Sequence, residues 1–365
     1  MAAKERTHNN ARIAFIHGRP GPHPSHATLA RSVNADFYFV DEMVRYHDLP
    51  NAGRIKRYAS WFLNALFMRN AAKYDLIISE GIHFPPVIRK RLGLLKKQQK
   101  VPAMMGSETL YFLKINWYPR SSNDSVLRAL ALYDALICLS RMQADIARSL
   151  IVQREATVQV LEAHEAIGKE RFEKFGGLSP ALEGKRLLFV SNGPSGWRAF
   201  YKGIETLIDT FEVVAGMHAD ATLTIVGEWD EDYVESLFSK LDKGRDKVHF
   251  AGGNSDLAAF FQNADLCVHL ANGDAFPVAT LESLRAGLPV MVSDWTGTKE
   301  VIEQIDERLV VPMDPAVASE RIDWYFNLPL SDKMEFSNKG REVVGQFSAE
   351  KSCAEFQAAV DQILN

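Results

Sequence analysis

Twelve short apolar runs, most of them followed by a stretch of helical periodicity, constrain this chain more than any other feature. Six lie in the first half: RIAFIHG (12–18), ADFYFVDE (35–42), YDLIISEG (74–81), VPAMMG (101–106), DALICLS (134–140) and TVQVLEA (157–163). Six lie in the second: RLLFVSNG (186–193), ATLTIVGE (221–228), KVHFAGG (247–253), DLCVHLAN (265–272), LPVMVSD (288–294) and RLVVP (308–312). They are rich in β-branched residues and apolar along most of their length, as strands of a parallel sheet covered on both faces are. Helical patterns such as GIETLIDTFEVVAG (203–216) and VATLESLRAG (278–287) lie between most of them. This alternation predicts a doubly wound α/β fold, and it occurs twice.

The seam between the two sets is EAIGKERFEKFGGLSPALEGK (165–185), charged, with Gly176, Gly177 and Pro180 and no strand pattern. The predicted organisation is a Rossmann-like domain over 1–170, a linker over 171–185, a second Rossmann-like domain over 186–345, and a closing helix over 346–365 that is a candidate to return to the first domain. In open α/β sheets ligands sit beyond the carboxyl ends of the strands, so a cleft between two such domains is the expected site.

Composition removes other classes. At 365 residues, 47% apolar and 24% charged, the chain is neither disordered nor collagen-like and suits about two domains. Cys138, Cys267 and Cys353 are too few and too far apart for a disulfide framework or a cysteine-based zinc site, and no cofactor or metal is expected. The start, MAAKERTHNN, lacks the apolar stretch of a signal peptide, and no run reaches the roughly 18 apolar residues of a membrane span. The expected location is therefore cytoplasmic. Charge is lopsided: residues 1–180 hold 26 Lys+Arg against 16 Asp+Glu (+10), and residues 181–365 hold 16 against 30 (−14). The basic half is suited to an anionic partner.

HGRPGPHPSH (17–26) follows the first run and carries Gly18 and Gly21, but not the third glycine of a dinucleotide loop. It reads as a tight turn, or as a loop that lets a substrate come close because glycines leave room.

The segment richest in chemistry is NGDAFPVATLESLRAGLPVMVSDWTGTKEVI (272–302). Pro277 suits the first turn of a helix, where its missing N–H is no loss. The N–H groups of Val278 and Ala279 would then be free to cradle a phosphate. Glu282 falls one turn further in, within reach of a sugar hydroxyl pair, and Asp274 lies before the turn. WRAFYKGIETLIDTF (197–211) places Arg198 and Lys202 ahead of a helix. A cation at a helix N-terminus is electrostatically poor, which makes sense if an anion binds there.

At these positions the chain resembles the retaining glycosyltransferases of family 4, which have two Rossmann-like domains facing a central cleft, the GT-B architecture. Their E-x7-E followed by G-x-P-V corresponds here to Asp274-x7-Glu282 and Gly287-Leu288-Pro289-Val290, with an aspartate for the first glutamate. The Arg…Lys-Gly helix start, IVGE (225–228), VHFAGG (248–253) and FSAEKSCAEFQAAVDQIL (347–364) resemble further family elements. The resemblance implies that Lys202 and Arg198 neutralise the donor diphosphate. It implies that Glu282 binds the donor ribose and that Asp274 holds hydroxyls of the transferred sugar. Amides near Phe276, Pro277, Val278 and Ala279 would hold the diphosphate, the stretches around Gly227 and Phe250 would contact the donor, and Gly18 and Gly21 would close over it. Each residue also has an ordinary reading: Lys202 and Arg198 as solvated cations, Glu282 as part of a polar face, Asp274 as a turn or capping residue.

The acceptor side is less marked. The family's histidine after the fourth strand is replaced at GSE (106–108) by Glu108, a candidate to orient the acceptor or simply a loop acid. His83 in EGIHFPP (80–86) follows a strand end and is an acceptor-side candidate or a structural histidine. RIKRYASWFLNALFMRNAAK (54–73) and PPVIRKRLGLLKKQQK (85–100) carry five and six cations and no acid. Residues 54–100 would lie on an anionic membrane surface at the inner face, or pack on the core with a solvated basic side. Nucleic acid is not an expected partner.

The expected activity is transfer of a hexose from a nucleotide diphosphate sugar, with retention, to a hydroxyl of a glycan or lipid-linked glycan in polysaccharide or glycolipid synthesis. The alternatives are a same-fold nucleotide-sugar epimerase or sugar phosphorylase, or a non-catalytic nucleotide-sugar-binding partner.

Overall fold

The computed structural model describes residues 7–17, 24–39, 59, 62–63, 66, 68, 71–81, 84–106, 130–152 and 157–365. The chain divides into two units, Met1–Ala166 with Ala349–Asn365, and Ile167–Ser348.

The first unit carries β1 (Ile13–His17), β2 (Asp36–Phe39), β3 (Leu76–Glu80), β4 (Ala103–Met105), β5 (Ala135–Cys138) and β6 (Gln159–Glu162), with α1 (Pro24–Ser32), α2 (Phe84–Arg91) and α3 (Arg141–Val152). Its sheet runs β2-β1-β3-β4-β5-β6, every pair parallel. The residues of β1, β4 and β5 are buried throughout, which is why these runs read as continuously apolar.

The second unit opens with α4 (Lys169–Gly176) and carries β7 (Arg186–Val190), α5 (Gly196–Lys202), α6 (Ile204–Met217), β8 (Thr222–Val226), α7 (Glu231–Phe238), β9 (Val248–Phe250), α8 (Ala258–Asn263), β10 (Leu266–His269), α9 (Val278–Ala286), β11 (Val290–Ser293), α10 (Lys299–Ile302), β12 (Val310–Val311), α11 (Pro315–Phe326) and α12 (Leu330–Val344). Its sheet runs β12-β11-β10-β7-β8-β9, again all parallel. The last helix, α13 (Ala349–Leu364), belongs to the first unit, where Phe356 packs on Phe15 with ring centres 6.4 Å apart and Gln357 Nε2 donates to the Ser32 carbonyl at 2.7 Å. Each of the twelve apolar runs contains one strand.

The strand order fixes where ligands can enter. In the second sheet the connections leave in opposite directions from β7 and β10, and in the first from β1 and β3. Such a switch point opens a crevice at the carboxyl ends of the two strands.

The stretch 171–185 differs from an open connector. α4 covers its start and packs on α9. Arg285 Nε donates to the Phe172 carbonyl at 2.8 Å, and its guanidinium lies 4.1 Å from the Phe172 ring centre. Phe175 is buried among charged neighbours that face solvent. A short helix with so polar an outer face has the composition of a linker, which is why the sequence suggests one.

Candidate functional site

The second switch point is built by one close approach. Gly203 is the only residue between α5 and α6 and has φ 73°. A Cβ there would lie 1.7 Å from the Leu270 carbonyl oxygen, so only glycine lets the helix junction press on the loop after β10. That loop ties back: Asn272 N donates to the Tyr201 carbonyl at 2.7 Å, and its side-chain amide to the Phe200 carbonyl at 3.3 Å. Lys202 is thereby delivered to Asp274, with Nζ 2.6 Å from Oδ2. His269, the last residue of β10, places Nε2 3.1 Å from the same oxygen. Phe189 stacks on the His269 ring with centres 5.4 Å apart.

Asp274 is only 2% exposed. Burial pushes its carboxyl upward, but the Lys202 ammonium and His269 outweigh this and hold it far below the usual aspartate range. Burial pushes His269 down against the opposing pull of Asp274. The position of Lys202 corrects the expectation from sequence. It is the last residue of α5, at a carboxyl end where the helix dipole favours a cation, and its partner is Asp274. The helical pattern legible in the sequence begins at Gly203, and the short helix α5 that precedes it, ending at Lys202, is the reason for the difference.

From Asp274 the chain passes through Phe276 and Pro277 into α9. Pro277 occupies the capping position just outside the helix rather than its first turn, and no side chain caps the end. The Phe276 ring is buried against Phe347, centres 5.6 Å apart. Val278 and Ala279 are half-buried at the start of α9. Glu282 is buried one turn on, and Arg171 Nη1 donates to its Oε1 at 2.7 Å. Oε2 takes no hydrogen bond from the described residues. Burial raises the Glu282 pKa, with Arg171 opposing.

Arg198 lies one turn before Lys202 on α5. It makes no hydrogen bond or ion pair with the described residues, and its Nε is shielded from solvent. Gly227, at the end of β8, has φ 148°; a Cβ there would lie 1.9 Å from the Ser191 carbonyl oxygen, and its N–H donates to Gly252 at 2.9 Å. It stitches together the loops after β7, β8 and β9. Phe250 ends β9 with its ring edge-on to Phe238, centres 5.6 Å apart.

Lys202 and Asp274 are thus in direct contact, with Arg198 one turn away. Phe276, Pro277, Val278, Ala279 and Glu282 follow on the loop and helix that leave β10. Gly227 and Phe250 stand at the same carboxyl edge beyond β7. Gly18, Gly21, His83 and Glu108 lie outside the described residues. Arg171 and His269 are partners that sequence reasoning missed. Arg171 is 111 positions from Glu282 in a stretch that resembles a linker, whereas His269 left a usable signal, a histidine closing an apolar strand beside the switch point. Among the described residues, potential metal ligands meet at His17, His26 and Glu80 in the first unit rather than around Lys202.

Two all-parallel Rossmann-like sheets, the second with a lysine–aspartate pair at its switch point, define the GT-B class of glycosyltransferase folds. Residues 185–343 match the family Glycosyl transferases group 1. An uncharacterized glycosyltransferase of Methanocaldococcus jannaschii is 34% identical over 152 residues, 40% of this chain and 36% of that protein. The phosphatidyl-myo-inositol mannosyltransferase of Mycobacterium tuberculosis is 27% identical over 136 residues, 36% of this chain and 34% of that protein. The chain thus spans about a third of the length of these relatives. A structure described as trehalose-6-phosphate from E. coli bound with UDP-2-fluoro glucose shares the fold, with a TM-score of 0.71, 10% identity, and coverage of 96% of this chain and 99% of that one.

Proposed function

We propose that the protein transfers a hexose from a nucleotide diphosphate sugar to a hydroxyl of a glycan or lipid-linked glycan, with retention of configuration. The observation that carries this reading is the pairing of Lys202, seated on Asp274, with Arg198, which has no acid partner among the described residues, on one helix turn. Two cations one turn apart, offset by a single carboxylate, leave positive charge for a diphosphate, and the uncapped start of α9 adds N–H donors a few residues away. As the bond from the sugar's anomeric carbon to the diphosphate breaks, the leaving group takes the electron pair, and Lys202 and Arg198 stabilise it. The sugar centre gains oxocarbenium character, and the acceptor hydroxyl attacks from the face the diphosphate leaves. This charge stabilisation calls for no metal. Glu282 offers Oε2 to the donor ribose while Arg171 holds Oε1. Asp274, buried and ionised, orients Lys202 and the sugar hydroxyls nearest it.

A lipid-linked acceptor at an anionic membrane surface fits the basic first half and the relative named for phosphatidyl-myo-inositol. Phe62, Leu63 and Leu66, within the five-cation stretch 54–73, are exposed at 47%, 36% and 37%. In 85–100 the picture is mixed: Val87 is buried in the core and Lys90 pairs with Asp134, while Leu92 and Leu94 are exposed. No helix among the described residues is long and apolar enough to cross a membrane.

Thermal-shift titration with UDP, GDP and ADP sugars tests the donor, because a ligand of the folded state raises the melting temperature. One of them should stabilise the protein and be turned over only with acceptor present, giving the donor's anomeric configuration by NMR. Inverted product removes the retaining step; rapid conversion without acceptor favours an epimerase or a phosphorylase.

A further inference from the structure

The first sheet has its own switch point, and metal-ligating side chains converge on it. His17 closes β1, Glu80 closes β3, and His26 lies in the first turn of α1. Glu80 Oε2 is 3.5 Å from His17 Nε2, and Oε1 is 3.3 Å from His26 Nδ1. Ligand atoms from all three residues lie within 4.8 Å of one another. On a tetrahedral zinc ion with bonds of about 2.0–2.1 Å, neighbouring ligand atoms stand ~3.3–3.4 Å apart. Each Glu80 spacing lies close to that edge, one through each carboxylate oxygen, so a single-oxygen bond needs a modest turn of the carboxylate.

The second nitrogen of His26 completes the pattern. Nε2 lies 2.7 Å from Glu165 Oε1, just after β6. Histidines that bind a metal through one ring nitrogen usually donate the other N–H to a carboxylate, which fixes the tautomer and ring orientation. Both histidines are buried, at 4% and 6% exposure, with ring centres 5.4 Å apart. Phe15 and Phe37 flank them, at 6.4 Å from His26 and 5.7 Å from His17. None of these groups has a part in the proposed sugar transfer.

We propose that His17 Nε2, His26 Nδ1 and the Glu80 carboxylate bind one divalent ion of the zinc class, with Glu165 positioning His26. Two imidazoles and one carboxylate suit zinc and its neighbours better than magnesium or calcium, which take oxygen ligands. Three protein ligands leave a fourth position for water or for an oxygen of a molecule bound at the crevice. The ion ties β1, α1 and β3 together, and Glu165 adds the segment after β6. Without it, the same cluster is a buried polar network in which the two ring nitrogens of His26 face Glu80 and Glu165.

The test uses the full chain, free of any histidine tag. Calorimetric titration with zinc after chelator treatment should show one equivalent bound, and cobalt(II) should give the visible absorption of a four-coordinate site. His17→Gln and Glu80→Gln should each weaken binding by more than ~100-fold, and Glu165→Gln by about 10–100-fold, with circular dichroism unchanged. Absence of stoichiometric binding by the wild type, or full-strength binding by His17→Gln, overturns the proposal. If a variant fails to fold, NMR of the cobalt-loaded wild type decides: two histidine rings shifted by the metal support the site, and none overturns it.

Discussion

The two sheets end in switch points of opposite electrical character. At the second, Lys202 meets one buried carboxylate, Asp274, and a histidine whose burial favours neutrality, while Arg198 one turn away adds positive charge. At the first, two carboxylates, Glu80 and Glu165, face the rings of His17 and His26, a donor set that suits a cation. Both crevices follow from parallel strand order, so topology sets where a ligand sits. The side chains that close the strands set which ligand it is.

The largest expected effect breaks the cationic side. Lys202→Ala should lower turnover about 10²–10³-fold with folding intact, as removal of a charge-stabilising donor does. Unchanged turnover would transfer the role to Arg198 and leave Lys202 as the counter-ion of Asp274. Lys202→Arg is not a neutral control, because a planar fork cannot replace a point charge 2.6 Å from Asp274 Oδ2.

Next comes the junction that delivers Lys202. Gly203→Ala puts a Cβ where the Leu270 carbonyl stands and forces alanine into a left-handed conformation. The expected loss is about 3 kcal/mol or more in chemical denaturation. Turnover of the fraction that still folds should fall as well, since Lys202 moves off Asp274. A variant that keeps full stability and turnover would show that the close approach does not set the lysine.

How far each switch point can be read from sequence differs for the same reason. Twelve apolar runs place all twelve strands of the described residues, and the segment from Asp274 to Glu282 is legible because its spacing is local. The helix α5 is not legible from periodicity, because seven residues are too few to show a pattern and the readable one begins at Gly203. Pairs such as Arg171–Glu282 and His26–Glu165 join residues 111 and 139 positions apart, and only the fold brings them together. The expectation of no metal rests on the lack of a cysteine or His/Cys cluster along the chain and on charge stabilisation without a metal, whereas His17, His26 and Glu80 are spread along the sequence and meet only in the fold. A buried histidine at a strand end next to the strand-order reversal is the readable sign that both sites share.

The smallest effects separate the two acids of the second site. Asp274 is held below its ordinary value, so its contribution to stability is complete above about pH 4 and is lost as pH falls through the depressed folded value. Asp274→Asn should therefore lower stability at neutral pH by ~2–3 kcal/mol, because Lys202 is left mostly buried without its counter-ion, and the deficit should shrink in acid. Glu282 has the opposite sign. Burial raises its pKa, so the folded state favours the proton, and the wild type loses stability as pH rises from the ordinary glutamate value through the raised one. Glu282→Gln removes that penalty but leaves Arg171, which is 42% exposed and can turn to solvent. Its stability above this window should lie within about 1 kcal/mol of wild type, on either side. Donor KM should rise several-fold while kcat changes less, the mark of an interaction made with the bound donor before the bond breaks. If the two variants instead show parallel stability-versus-pH curves, the two acids share one electrostatic role, and the division between a lysine anchor at Asp274 and a ribose ligand at Glu282 fails.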